Sequence, residues 1–112
     1  MKQFFYGLLF CSLFFSACTE NPPVDPSEIY AEGVFTINEG VFGQTSGTIT
    51  HYNRNEGTAA QKIFKQKNSR DLGDVVQSMI FYLDKAYIVV NNSNKIEVVD
   101  ANSFEEKAQI TG

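Results

Sequence analysis

Sulfur is nearly absent from this sequence. Its two cysteines, Cys11 and Cys18, both fall in the first 18 of 112 residues, so the rest of the chain has no thiol for a disulfide, a nucleophile or a zinc cluster. Small exported domains commonly lean on such staples, and this one must be held by packing. Tryptophan is missing and histidine occurs once. A hydrolytic site wants a nucleophile with a base and an orienting acid in reach. His51 instead lies inside a β-rich run, where a place on the strand surface is expected, and no serine stands in a nucleophile-elbow setting. Glu105 and Glu106 sit beside Lys107 in a turn and read as solvated edge charges. Asp71 and Asp74 in "RDLGD" are too few for the dense oxygen ladder of a calcium loop. No catalytic residue, metal or cofactor is predicted.

Positive charge is also scarce, with 9 Lys and Arg against 13 Asp and Glu and a formal net charge of −4. Lys62, Lys65, Lys67 and Arg70 are spaced along a stretch that reads as a solvated strand end and loop, so nucleic acid is not an expected partner. No apolar run is long enough to span a bilayer. The longest, Phe4 to Ala17, has 14 residues, against the about 20 that a membrane-crossing helix needs.

What stands there instead is an address. Lys2 supplies a positive n-region, Phe4 to Phe15 an apolar h-region, and Ser16-Ala17 a small-residue c-region, the pattern of a secretory signal peptide over residues 1–17. The following "FSAC" resembles the lipobox of bacterial lipoproteins, in which the cysteine is diacylated and becomes the mature N-terminus; Phe15 departs from the aliphatic residue usual at that position. The resemblance makes Cys18 a lipid anchor, with ordinary signal cleavage or an uncleaved anchor as the alternatives. Acyl chains contribute about 0.8 kcal/mol per buried methylene, enough for a multiply acylated cysteine to hold a soluble domain on a membrane. Behind Cys18, "TENPPVDPSE" carries all three prolines and several acids, so residues 18–31 read as an extended tether. "TEN" is weakly similar to the acidic signals that send some Bacteroidetes lipoproteins to the cell surface.

Without signal and tether roughly 80 residues remain, one small domain with a thin core. From Glu32 onward, runs of four to eight β-forming residues alternate with Asn, Gly, Asp and Ser clusters, which predicts an antiparallel all-β domain. "VQSMIFYL", "AYIVV", "KIEVVD" and "EKAQIT" read as a four-stranded meander with turns at "DK", "NNSN" and "ANSF". The first half holds most of the same unit: "GVFTIN", the loop "EGVFGQTSG", "TITHYN", "RNEGT" and "AQKIF". Ile49, Tyr52, Asn53 and Ile63 align with Ile96, Val99, Asp100 and Ile110, each 47 residues on (96 − 49 = 47). A period of 40 to 50 residues with four strands per unit is the signature of β-propeller blades.

The stretches "NEGVFGQTSGTITHYN", "NSRDLGDVVQSMIFYLDKAYIVVNNSNKIEVVD" and "EEKAQITG" resemble the opening blades of YncE-like, YVTN-type β-propeller lipoproteins of the Bacteroidetes, from about Gly33 to Gly112. The resemblance implies a propeller, typically of seven blades, anchored at the outer membrane. Residues 32–112 encode fewer than two blades, and a blade is apolar on both faces and needs neighbours. The expectation is therefore an incomplete propeller, the first one to two blades. The alternative is an autonomous β-domain that buries its faces by oligomerising.

Strand parity sends the long loops to one end of the sheets. "NEGVFGQTSG", "NNSN" and the blade-to-blade crossing "QKNSRDLGD" are expected there, the turns "LDK", "NRNEGT" and "ANSFEE" at the other. Asn38, Glu39, Phe42, Asn68, Arg70, Asn91 and Asn92 are the candidate ligand contacts, although Asn and Gly serve turns whether or not anything binds. Phe35, Phe81, Tyr82 and Tyr87 are expected in the core.

The function expected is a non-enzymatic, membrane-anchored lipoprotein at the outer membrane, possessing a propeller that binds a small molecule or an outer-membrane protein partner. The resemblance includes lipoproteins that capture cobalamin beside a transporter, which makes a corrinoid one candidate. The rivals are a propeller enzyme of lyase or lactonase type with its catalytic residues in other blades, and an envelope interaction scaffold. Replacing Cys18 by alanine is expected to remove the acyl mass and move the protein from the membrane to the soluble fraction, read by intact-mass spectrometry and fractionation.

Overall fold

In the computed structural model, which describes Tyr30 and residues 32–112, the β-branched and aromatic runs form seven strands in two antiparallel sheets. The first sheet holds β1 (Val34–Asn38), β2 (Thr48–Asn53) and β3 (Thr58–Ala60). The second is a meander of β4 (Val76–Tyr82), β5 (Lys85–Val90), β6 (Lys95–Asp100) and β7 (Glu106–Thr111). The domain is all-β, as the strand pattern predicts. Residues 1–17, read as a signal peptide, and most of the expected tether, Cys18 included, lie outside the described residues.

The repeat survives in detail. β2 and β6 begin 47 residues apart (95 − 48 = 47) and are six residues each. Both end in the same turn chemistry. Asn53 Oδ1 accepts the backbone N–H of Asn55 and Glu56 at 2.9 and 3.2 Å, and Asp100 Oδ1 accepts those of Asn102 and Ser103 at 3.0 Å each. Such side-chain-to-backbone bonds favour turns over continued strand. The hydrogen bonds from Ser103 and Asn102, with Lys107 beyond them, hold the Asp100 carboxyl below its ordinary range against the opposing effect of burial.

Three local expectations are corrected. "AQKIF" does not form an outer strand: β3 ends at Ala60, and Ile63–Asn68 is a short helix, α1, entered through a left-handed Lys62 and closed by a left-handed Ser69. Ile63 therefore does not match Ile110, which lies in β7. Strand geometry would have sent Ile63 and Phe64 to opposite faces; as helix, both side chains are buried. The tight turn after β4 is Leu83-Asp84, since Tyr82 pairs with Lys85; Leu83, read as strand, takes φ +53° at the turn. Tyr30, counted with the tether on composition, is buried in the domain, and its N–H donates to the Asn102 carbonyl at 3.1 Å.

The core lies between the sheets. Alternation in β2 turns Ile49 and His51 inward, while β5 turns Ala86, Ile88 and Val90 inward. Phe35 is central to an aromatic cluster: its ring stacks on Phe104 at 5.7 Å and meets Phe81 and His51 at 5.0 and 4.8 Å. His51 is thus a buried core residue and not a strand-surface one. Its Nε2 lies 2.8 Å from the Glu32 carbonyl oxygen, and Gly33 beside it has φ +140° and no room for a Cβ against the Tyr52 carbonyl. Tyr82 and Phe81 are corrected the other way, being 65% and 43% exposed, and Tyr87 is only partly covered. Replacing Ile88, which is fully buried, by alanine should cost about 2–5 kcal/mol, measured as a lowered urea midpoint with an unchanged slope.

Candidate functional site

The loops gather at one end, as strand parity requires, and a single carboxylate ties them. Asp74 Oδ2 accepts the Gly43 N–H at 2.8 Å and the Asn92 side-chain amide at 2.6 Å. The Asp74 N–H donates to Ser93 Oγ at 2.9 Å. Backbone bonds complete the junction: Gly47 N–H to the Gly73 carbonyl at 2.9 Å, Val76 N–H to that of Glu39 at 3.2 Å, and Asn91 N–H to that of Val75 at 2.8 Å. Three loops, 39–47, 71–75 and 91–94, so form one surface drawn from both sheets.

The backbone there is constrained. Gly73 has φ +123°, and a Cβ on it would lie 2.6 Å from Ser93 Oγ. Val75 takes φ +59°, a left-handed conformation that a β-branched residue adopts at a cost of about 1–3 kcal/mol. Asp74 Oδ1 is buried and receives no hydrogen bond from the described residues.

Of the sequence-predicted site residues, four lie at this surface. Phe42 projects from the tip of loop 39–47 at 71% exposed; Glu39 is exposed beside it, and Asn91 and Asn92 open the 3₁₀ turn Asn91–Ser93. Asn38 stands at the edge, but its amide is engaged with Thr48 and Thr50 on the outer face of the first sheet, 3.2 and 3.3 Å from their hydroxyls. Asn68 and Arg70 are not part of the loop end. Asn68 closes α1 and Arg70 follows the left-handed Ser69, and both residues bond to β6, β7 or the turn between them. Asn68 clips the segment to the turn after β6, donating to the Phe64 and Phe104 carbonyls at 3.0 Å each and accepting the Glu106 N–H at 2.8 Å.

Arg70 lies across the second sheet. Its guanidinium makes a two-pronged bond to the fully buried Glu97, 2.8 and 2.7 Å, and reaches Glu106 at 2.7 Å. Lys95 Nζ adds a contact to Glu97 at 2.7 Å, and the Arg70 guanidinium carbon sits 4.8 Å from the Phe64 ring centroid. Burial pushes the Glu97 carboxyl up, but the hydrogen bonds from Arg70 and Lys95 outweigh it and hold the group below its ordinary range. Hydrogen bonding to Glu97 raises the Arg70 pKa, against burial. Glu106 is accordingly an ion-pair partner, not a free edge charge.

Asp74 is the residue that sequence reasoning passed over as a site. "GD" before a strand carries no signal of its own, since its partners lie 31 and 18 residues away. Among the described residues no group of His, Cys, Asp and Glu is arranged to hold a metal ion, and no helix is long and apolar enough to cross a membrane.

Residues 32–112, the whole β region, match the family model described as a domain of unknown function, DUF5074. The chain belongs to this family. No curated protein matches it. The match spans both sheets, the crossing segment and the loop end.

Replacing Arg70 by alanine leaves Glu97 buried with Lys95 alone. The cost expected at pH 7 is about 3 kcal/mol, the lower end for a broken buried pair because Arg70 is partly in water. A carboxyl held low when folded stabilises above its unfolded pKa of about 4.3 and loses that contribution as pH falls through the folded value. The gap between wild type and variant should therefore narrow in urea titrations run at pH 3.

Proposed function

We propose that this DUF5074 chain is a non-enzymatic lipoprotein of the cell envelope, held at the outer membrane through Cys18, whose β-propeller-type sheets carry a binding surface at the loop end. The observation that carries this reading is the convergence of three loops on Asp74. Loops fixed to a rigid scaffold are where β-sheet proteins commonly place ligand contacts. Here the surface presents an exposed aromatic, Phe42, and the side-chain amides of Asn91 and Asn92, on loops held together by Asp74. That combination suits a ligand with a broad apolar body and several N–H donors, and a corrinoid, the candidate from the resemblance, has both.

Calorimetric titration of the full chain, in mild detergent, with cyanocobalamin tests the reading. Binding that falls about tenfold, or 1.4 kcal/mol, in both Phe42→Ala and Asp74→Ala supports it. Absence of binding removes the corrinoid, and binding untouched by both substitutions removes the loop end.

A further inference from the structure

The turn end, opposite the loop end, carries a residue whose place the fold does not account for. Leu83 is the first of the two residues that turn β4 into β5, takes φ +53° and is 83% exposed. A left-handed position in a two-residue hairpin turn favours Gly, Asn or Asp, and a leucine there adds steric strain while burying almost nothing. Phe81 and Tyr82, both exposed, precede it on alternate faces of β4, so the hairpin ends in an apolar tip with one phenol. Asp84 and Lys85 pair with each other at 2.7 Å and leave the tip without net charge. Sheets stacked face to face cover the faces of strands and not the turns at their ends, so a further sheet beside the meander leaves Leu83 open.

The chain enters the domain at the same end. The Ala101 N–H donates to the Asp84 carbonyl at 2.9 Å, and the Tyr30 N–H to that of Asn102 at 3.1 Å, so the tip, the turn after β6 and Tyr30 are consecutive neighbours. Tyr30 is fixed there by more than its backbone, because its ring meets those of His51 and Phe104 at 5.1 and 5.6 Å. Residues 19–29 separate Cys18 from Tyr30 and reach at most about 40 Å when fully extended. An anchor at Cys18 therefore pulls on the domain from its turn end. The loop end lies the length of β4 beyond, seven residues or about 23 Å.

We infer that the Phe81–Leu83 tip is a membrane-contact element: Leu83 enters the interfacial region of the bilayer that carries the anchor, with Tyr82 at the headgroup level, where a ring that is apolar at one end and hydroxylated at the other is favoured. This contact rests on the lipoprotein reading and adds to it the end of the domain that meets lipid. A tip this small does not hold a domain on a bilayer by itself; beside an acyl anchor it supplies the second, weaker attachment. With the tip down, the loop end faces away from the bilayer and is open to its ligand.

The sequence has no tryptophan, so one introduced tryptophan reports its own surroundings. The acylated chain carrying Leu83→Trp, reconstituted in phosphatidylethanolamine and phosphatidylglycerol vesicles, is expected to emit at shorter wavelength than Phe42→Trp at the loop end, and to lose intensity when the lipid chains are brominated. Phe42→Trp should keep its intensity. Tyr82→Trp, which leaves the turn residue in place, should be quenched as Leu83→Trp is. Intact mass shows in the same samples whether acyl chains are present. Quenching at neither tip position in an acylated chain overturns the inference and leaves the lipoprotein reading standing, whereas a chain without acyl mass overturns both. Quenching of Phe42→Trp as strong as at the tip overturns the inference, because the domain then has no lipid-facing end. A short-wavelength Leu83→Trp emission that brominated lipid leaves unchanged identifies a protein occupant, a second copy included, and overturns it too.

Discussion

Ala86, Ile88 and Val99 are fully buried because the first sheet and the segment that joins the sheets lie over them. A meander apolar on both sides cannot keep either side in water without cost, since each square ångström of apolar surface left uncovered forfeits about 25 cal/mol. The remainder of the architecture follows from meeting that demand. Ile63, Phe64 and Leu72 of the joining segment fill space between the sheets, which is why the segment coils into α1 where a flat strand would have placed only one of two adjacent apolar side chains inside.

Putting a chain between two sheets brings its polar backbone and its charges with it. Arg70 and Glu97 resolve this by pairing with each other in a two-pronged geometry, with Lys95 and Glu106 at the flanks. A pairing of this kind adds little net stability over well-packed apolar residues, but it has only one good arrangement. It accordingly fixes where the segment lies along β6, and Asn68 fixes its other coordinate against the turn after that strand. The loop end inherits this placement, because Gly73 and Asp74 are the next few residues of the same run.

Much of the fold was legible. β4 to β7 read directly from alternating β-formers and two-to-four-residue turns, and the 47-residue repeat was visible in Asn53 and Asp100 before either was known to shape a turn. The convergence of the loops followed from parity alone. What escaped was set by tertiary partners. "AQKIF" has the composition of a strand and lost that state to the space it had to fill. His51 looked polar enough for the surface, yet its alternation with Ile49 placed it inside, where the Glu32 carbonyl satisfies it. Arg70 and Asn68 sat in a stretch rich in loop residues, and only their distant acceptors distinguish them from Asn91 and Asn92. Asp74 has no sequence signature at all.

Between Asn68 and Asp74 the joining segment is pinned at its lower end to the backbone around Phe104 and at its upper end to Gly43 and Asn92. It is a strut of fixed length. Adding or deleting one residue in it would break one anchorage to keep the other, whereas the exposed side chain of Phe42, next to the Gly43 anchor, can be exchanged without moving either anchorage. Side-chain change is therefore free to accumulate at Phe42, while the strut holds its spacing.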